Sequence, residues 1–185
     1  MAEEKDNPEF MFFEADRLIE SNQIVEATEL LNRLLVLHPT FGRAFNHLGY
    51  IYETRYRDQA RAEQLYKEGL RHSPDYPALY LNYAILLANQ QRYDELELIL
   101  DAAVQCPGIN LPKVLHERGM MYETQGRYTE AMTVYRDAFQ RSFLEADMEM
   151  LETSMARLQR KIDFFHKQGV KTRGGKKAEI EGEGN

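Results

Sequence analysis

One cysteine, Cys106, stands in the whole 185-residue chain. Neither an intramolecular disulfide nor a thiolate zinc site can be built from it, which fits a reducing compartment. Positive charge is also short: 23 Lys and Arg stand against 30 Asp and Glu, for a net charge of -7. An acidic body disfavours non-specific binding to nucleic acid or to a membrane surface. No apolar stretch approaches the ~20 residues that a spanning helix needs. The first twenty residues hold Glu3, Glu4, Asp6, Glu9 and Glu14, with no basic segment leading into an apolar run, so no secretory signal is expected. Together these absences predict a cytoplasmic protein that binds neither nucleic acid nor membrane.

Residues that carry chemistry are equally sparse. The sequence has no glycine-rich phosphate loop, no His-Glu-x-x-His, no Gly-x-Ser-x-Gly and no cysteine cluster, so no enzyme and no cofactor is expected. His38 and His72 fall at the ends of two predicted helices, where a cation favours the carbonyl-rich terminus. His47 and His116 lack the carboxylate or histidine neighbours of a metal ligand set, and no metal site is expected. Cys106 precedes Pro107 with no histidine beside it, which predicts an inert thiol.

What the chain does contain is a phrase used twice: Gly49-Tyr50-Ile51-Tyr52-Glu53-Thr54 and Gly119-Met120-Met121-Tyr122-Glu123-Thr124. Midway between them stands Ala84-Ile85-Leu86-Leu87-Ala88-Asn89, a more aliphatic version. The spacing large-x-x-large-small-x-x-large, then small-x-x-x-large, then proline lays out four units. They are anchored by Met11, Glu14, Ala15, Leu18, Ala27, Leu31 and Pro39; by Phe45, Leu48, Gly49, Tyr52, Ala62, Tyr66 and Pro74; by Tyr80, Tyr83, Ala84, Leu87, Leu96, Leu100 and Pro107; and by Leu115, Arg118, Gly119, Tyr122, Ala131 and Tyr135, with Glu14 and Arg118 departing from the large apolar residue at that position. Small residues at Ala15, Gly49, Ala84 and Gly119 let paired helices approach closely while large neighbours fill the gap.

In the second unit, Phe45-x-x-Leu48-Gly49-x-x-Tyr52 with Ala62-x-x-x-Tyr66 and Pro74 resembles the tetratricopeptide repeat, a helix-turn-helix unit of about 34 residues. The fourth unit follows, with Gly119, Tyr122, Gly126, Tyr128 and Ala131. The resemblance implies an all-α fold, a right-handed superhelical solenoid of four helix pairs over 8–41, 42–76, 77–111 and 112–141. It also implies a groove lined by the first helix of each pair. Carried onto this sequence, the groove positions include Arg43, Asn46, His47, Tyr50, Asn82, Lys113, His116 and Met120. Glu53 and Glu123 are expected on the groove rim, and Asn82 is expected to bond a peptide backbone, with Lys113 or Arg43 holding an acidic side chain. Of a known clamp for C-terminal carboxylates, only Asn82 and Lys113 match, and Glu117 would repel a carboxylate where an arginine should grip it.

Several details of register are also predicted. Asp6, Thr40, Asp75 and Asn110 recur in phase as N-caps, each two residues before Pro8, Gly42, Pro77 and Pro112. One inserted residue is expected in the turn around Arg55 to Asp58 and another in the Cys106-Pro107-Gly108 loop. Ser142-x-x-Glu145 reads as a capping box opening a long capping helix over 142–168. The 3-4 spacing of Leu144, Met148, Leu151, Met155, Leu158, Ile162 and Phe165 also fits a seam, so Met155, Leu158, Ile162 and Phe165 form a possible homodimer surface. Residues 1–7 are expected to fray and 169–185 to form a disordered charged tail, in which Lys171, Arg173, Lys176 and Lys177 form a weak basic cluster. The function expected is a non-catalytic interaction module, an adaptor, co-chaperone or assembly factor that binds a peptide or helix of another protein. A homodimeric scaffold and a bacterial secretion-chaperone-like client holder are the alternatives.

Overall fold

A computed structural model describes residues 6–167, and every element in that range is helical. The expected charged tail lies outside the described residues, as does most of the expected frayed start. Asp6 and Asn7 of that start are engaged. Asn7 accepts from the backbone N–H groups of Glu9 and Phe10, and Asp6 pairs with Arg33 at 2.6 Å.

The chain divides into two compact units at Asn110. The first holds α1 (Pro8–Glu20), α2 (Ile24–Leu37), α3 (Gly42–Ile51), α4 (Gln59–His72), α5 (Pro77–Asn89) and α6 (Tyr93–Val104), and a π-helical turn, Tyr52–Tyr56, continues α3. The second holds α7 (Leu111–Thr124), α8 (Tyr128–Gln140) and α9 (Glu145–Lys167). The first unit's core gathers Met11, Ala15, Leu31, Leu34, Leu48 and Ile51, all essentially inaccessible. That of the second gathers Ala131, Tyr135, Ala138, Leu151 and Leu158. The expected small residues do lie at the helix crossings. A Cβ on Gly49 would meet the Tyr66 ring at 2.5 Å, and one on Gly119 would meet the Tyr135 ring at 2.3 Å.

The turn inside each helix pair is built the same way. Asn22, Arg57, Gln91 and Gly126 all take positive φ, between 57° and 74°, a region that only glycine enters without steric cost. The residue after each closes the turn by donating its N–H back to the first helix. Gln23 reaches Leu18 O at 2.8 Å, Arg92 reaches Leu87 O at 3.0 Å and Arg127 reaches Tyr122 O at 2.8 Å, each spanning five residues. In the second pair Asp58 reaches Tyr52 O at 2.9 Å across six. The expected insertion is therefore absorbed as the π turn Tyr52–Tyr56, a wider loop of backbone that keeps the closing bond.

Two details of capping differ from expectation. Asn7, Phe41 and Tyr76 occupy the N-cap positions rather than Asp6, Thr40 and Asp75, because Pro8, Gly42 and Pro77 are the first helical residues. Neither Phe41 nor Tyr76 makes a side-chain cap bond, and the approach is held by backbone bonds such as Phe41 N–H to His38 O. Ser142 does not open α9 either. Its hydroxyl donates to Ala138 O at 2.9 Å and closes α8, so the long helix starts at Glu145.

Candidate functional site

The repeated phrase builds a small device. With no Cβ on Gly49, the Tyr66 ring of α4 lies flat against α3, and its hydroxyl donates to Glu53 Oε2 at 2.9 Å. In the second unit Tyr135 of α8 covers Gly119 and donates to Glu123 Oε2 at 3.0 Å. Where the small residue is alanine, the residue at the tyrosine's register is aliphatic, Leu31 in the first pair and Leu100 in the third, and no glutamate stands at the Glu53 position. A buried phenol needs a hydrogen-bond acceptor. Glu53 and Glu123 supply it.

The two carboxylates end in opposite electrostatic states. Glu53 is half-buried, and burial raises its pKa above the usual carboxylate value although Tyr66 and Asn89 donate to it. For Glu123 burial also acts upward, but donors outweigh it and hold the pKa at about 2. Arg157 donates Nε to Oε1 at 3.1 Å and Nη2 to Oε2 at 2.8 Å, and Lys161 approaches Oε1 at 2.7 Å. Glu123 is thus only 5% exposed. The expectation that it faces an open groove is corrected: α9 covers it.

In the first unit, the face of α3 stays open beside α5. Asn82 Nδ2 donates to Asn46 Oδ1 at 3.0 Å, joining the two helices through side chains. Tyr50, one turn beyond Asn46, is 44% exposed, and Ile85, one turn beyond Asn82, is 41% exposed. Asp16, Ile19, Asn46, His47, Tyr50 and Asn82 line a pocket of about 240 Å³. His47 is fixed within it. Its Nε2 lies 3.1 Å from Asp16 Oδ1, and its ring meets Phe12 edge-on at 4.5 Å. Arg43 is committed elsewhere, paired with Glu9 while its guanidinium lies 4.8 Å from the centroids of both Phe12 and Phe41. The expected grip on an acidic side chain would have to displace Glu9 from it.

The second unit treats the matching positions differently. His116 Nε2 and Ser154 Oγ are 2.9 Å apart, and Met120 Sδ lies 2.9 Å from Arg157 Nη2. Both residues are lined by α9, whereas Lys113 at the start of α7 is exposed. The seam residues of α9 turn inward as well. Leu158 is fully buried, Met155 and Ile162 pack on the same core, and Phe165 stacks on Tyr128 with centroids 5.7 Å apart. The 3-4 spacing that suggested a dimer seam is satisfied within the chain.

Sequence reasoning thus brought Asn46, His47, Tyr50 and Asn82 to one place. It missed Asp16 as the partner of His47, Asn89 as a donor to Glu53, and Arg157 with Lys161 as the cations that close Glu123. The pairing of Gly, Tyr and Glu in the same two units, and of none of them in the others, is the sequence signal for the device. Among the described residues no group of three His, Cys, Asp or Glu side chains could hold a metal ion, and no helix is long and apolar enough to cross a membrane.

The tetratricopeptide repeat model matches residues 57–108, from the first inter-helix turn of the second pair through α6. No curated protein matches the chain in sequence. Among solved structures, TTC0263 of Thermus thermophilus, a thermophilic protein of that repeat class, is 21% identical with a TM-score of 0.65, covering 83% of this chain and 81% of its own. PilF of Pseudomonas aeruginosa is 17% identical with a TM-score of 0.68, covering 89% and 78%. YrrB, described as a repeat protein with an unusual peptide-binding site, is 16% identical with a TM-score of 0.64, covering 90% and 87%. Identities this low speak to the fold alone.

Proposed function

Because the chain carries the tetratricopeptide-repeat fold, a fold of protein-interaction modules, we propose that it is a non-catalytic adaptor or assembly factor that binds a peptide or helix of another protein. The binding face is that of α3 and α5 in the first unit. The observation that carries this reading is the Asn46–Asn82 bond flanked by exposed Tyr50 and Ile85. Two helices are tied at the floor by amides, and aromatic and aliphatic side chains stand unpaired above them. Tyrosine is a low-entropy contact residue that offers both a ring and a hydroxyl. An asparagine whose nitrogen is spent on its neighbour still has its carbonyl oxygen, which suits a backbone N–H of a bound segment. His47 is held by Asp16 as a wall of the same pocket.

Of the remaining expected contacts, Lys113 is the exposed one, and it stays in the proposal as a contact of the second unit. A cytoplasmic setting is part of the proposal, supported by the single, buried Cys106. The homodimer alternative is less favoured by this reading, since Leu158 is buried in the chain's own core and Met155 and Ile162 are partly buried against it.

Affinity capture with mass spectrometry tests the reading. Tyr50→Ala combined with Asn82→Ala should deplete the captured partners at least tenfold relative to the unaltered chain. An unchanged set of partners would show that this face is not the binding surface.

A further inference from the structure

Glu53 and Glu123 occupy the same place in two copies of one device, and only one copy is complete. At Glu123 the carboxylate takes a phenol and a fork of two guanidinium N–H groups, with Arg157 reaching it from a helix that also meets His116 through Ser154. At Glu53 the phenol is present, and the neighbouring helix α5 offers the neutral amide of Asn89 instead of a cation. Among the described residues no Lys or Arg pairs with Glu53. Around it the surface is open: Asn89 is exposed, Tyr50 stands one turn before Glu53, and Ile85 stands one turn before Asn89. Asp16 adds a second carboxylate to the pocket beside Tyr50. A half-buried carboxylate without a counter-charge is an incomplete arrangement, since removing such a group from water is repaid by a fixed cation.

We infer that Glu53 is an acceptor for a guanidinium that the bound partner delivers, so the partner is a helical segment of another protein carrying an arginine. This rests on the proposed binding face and names the chemistry of its ligand. The geometry that α9 shows at Glu123 is the template. The arginine approaches as a fork on the Tyr66–Glu53 pair, and a small polar residue and an apolar residue one turn away meet Asn46 and the Tyr50–Ile85 surface. The π turn Tyr52–Tyr56 carries Glu53, and such widened turns recur at functional positions. The acidic balance of the chain favours a basic partner over an acidic one.

The test uses the full chain and dodecapeptides selected on it from a random displayed library. Selected peptides should share one arginine. Replacing it by citrulline, its neutral isostere, should weaken binding at least tenfold to the unaltered chain and leave binding to Glu53→Gln nearly unchanged. Glu53→Gln keeps an acceptor for Tyr66, and an unaltered unfolding midpoint verifies that the device is intact. Peptides that lose binding on Tyr50→Ala but not on citrulline substitution would overturn the acceptor while leaving the binding face. Peptides indifferent to Tyr50→Ala, or no peptide at all, would overturn both. Self-association of the chain that Glu53→Gln abolishes would overturn the assignment to another protein and give the site to a second copy.

Discussion

Residues 49–54 and 119–124 differ little in sequence, and each packs a tyrosine of the following helix against a glycine and hands its hydroxyl to a glutamate. Around that shared centre the two regions part. Glu123 is sealed by Arg157 and Lys161. Glu53 is left with the neutral donors Tyr66 and Asn89. The contrast shows that one motif can be core in one repeat and surface in another, with the choice made by the helix that comes next. In the first unit that helix is α5, with Asn89 near its end. In the second it is α9, which presents arginine and lysine one turn apart. Arginine on a sealed carboxylate makes structure, and the carboxylate without one is where we propose that a ligand binds.

The strongest way to break the comparison is to remove the seal. Arg157→Ala should destabilise the second unit by about 3 kcal/mol, because it leaves a buried carboxylate with one partner fewer, and urea unfolding should show it. Glu53→Gln in the same assay should shift stability by less than about 1 kcal/mol. A large loss at Glu53 would mean that the two devices are equally structural. Next in size are the glycines. Gly49→Ala and Gly119→Ala should each cost about 2 kcal/mol, since the tyrosine ring must move by several tenths of an ångström or more. Similar losses at the two sites would sharpen the claim that the packing is shared and only the electrostatics differ.

Acid sensitivity should separate the regions by sign. The folded pKa of Glu123 is depressed, to about 2, so its contribution is present above the unfolded value near 4.5 and is lost as pH falls from there towards 2. The folded pKa of Glu53 is raised, so its contribution is present below the unfolded value and is lost as pH climbs through the folded one. Glu123→Gln should therefore flatten the acid limb of the stability profile, and Glu53→Gln should not. The smallest effect lies in the turns. Gln91→Gly should stabilise the first unit by up to about 1 kcal/mol by relieving a positive φ, as Gly126 already does in the second. A loss at Gln91 would show that its side chain is needed there.

Much of this was legible in the sequence, for a physical reason. Repeats copy helix-packing positions, so Gly49, Gly119, Tyr66 and Tyr135 announced the crossings, and the inserted residue before Asp58 was visible as a phase shift. The π turn that absorbs it was not, because spacing counts residues without saying which hydrogen bond stretches. The caps at Asp6, Thr40 and Asp75 fell one residue off. Asx and Thr side chains mark a helix start by composition, whereas Pro8 and Pro77 fix where the first helical φ falls. Of the residues named for the groove, Asn46, His47, Tyr50 and Asn82 line one pocket. His116 and Met120 were matched to the same positions, but a cap that follows the last repeat covers them, and no repeat-based register contains that helix. Arg43 was expected to hold an acidic side chain of a partner, and its contacts with Glu9, Phe12 and Phe41 were not foreseen because Glu9 and Phe12 are distant in sequence.

The central claim is that one Gly-Tyr-Glu device exists twice, closed at Glu123 and open at Glu53. Titrating the side-chain carboxyl carbons of both residues by NMR in the full chain tests it most directly. The account predicts that Glu123 titrates at about 2 and Glu53 above the ordinary carboxylate range. Coincident titrations, or Glu123 titrating above Glu53, would contradict it.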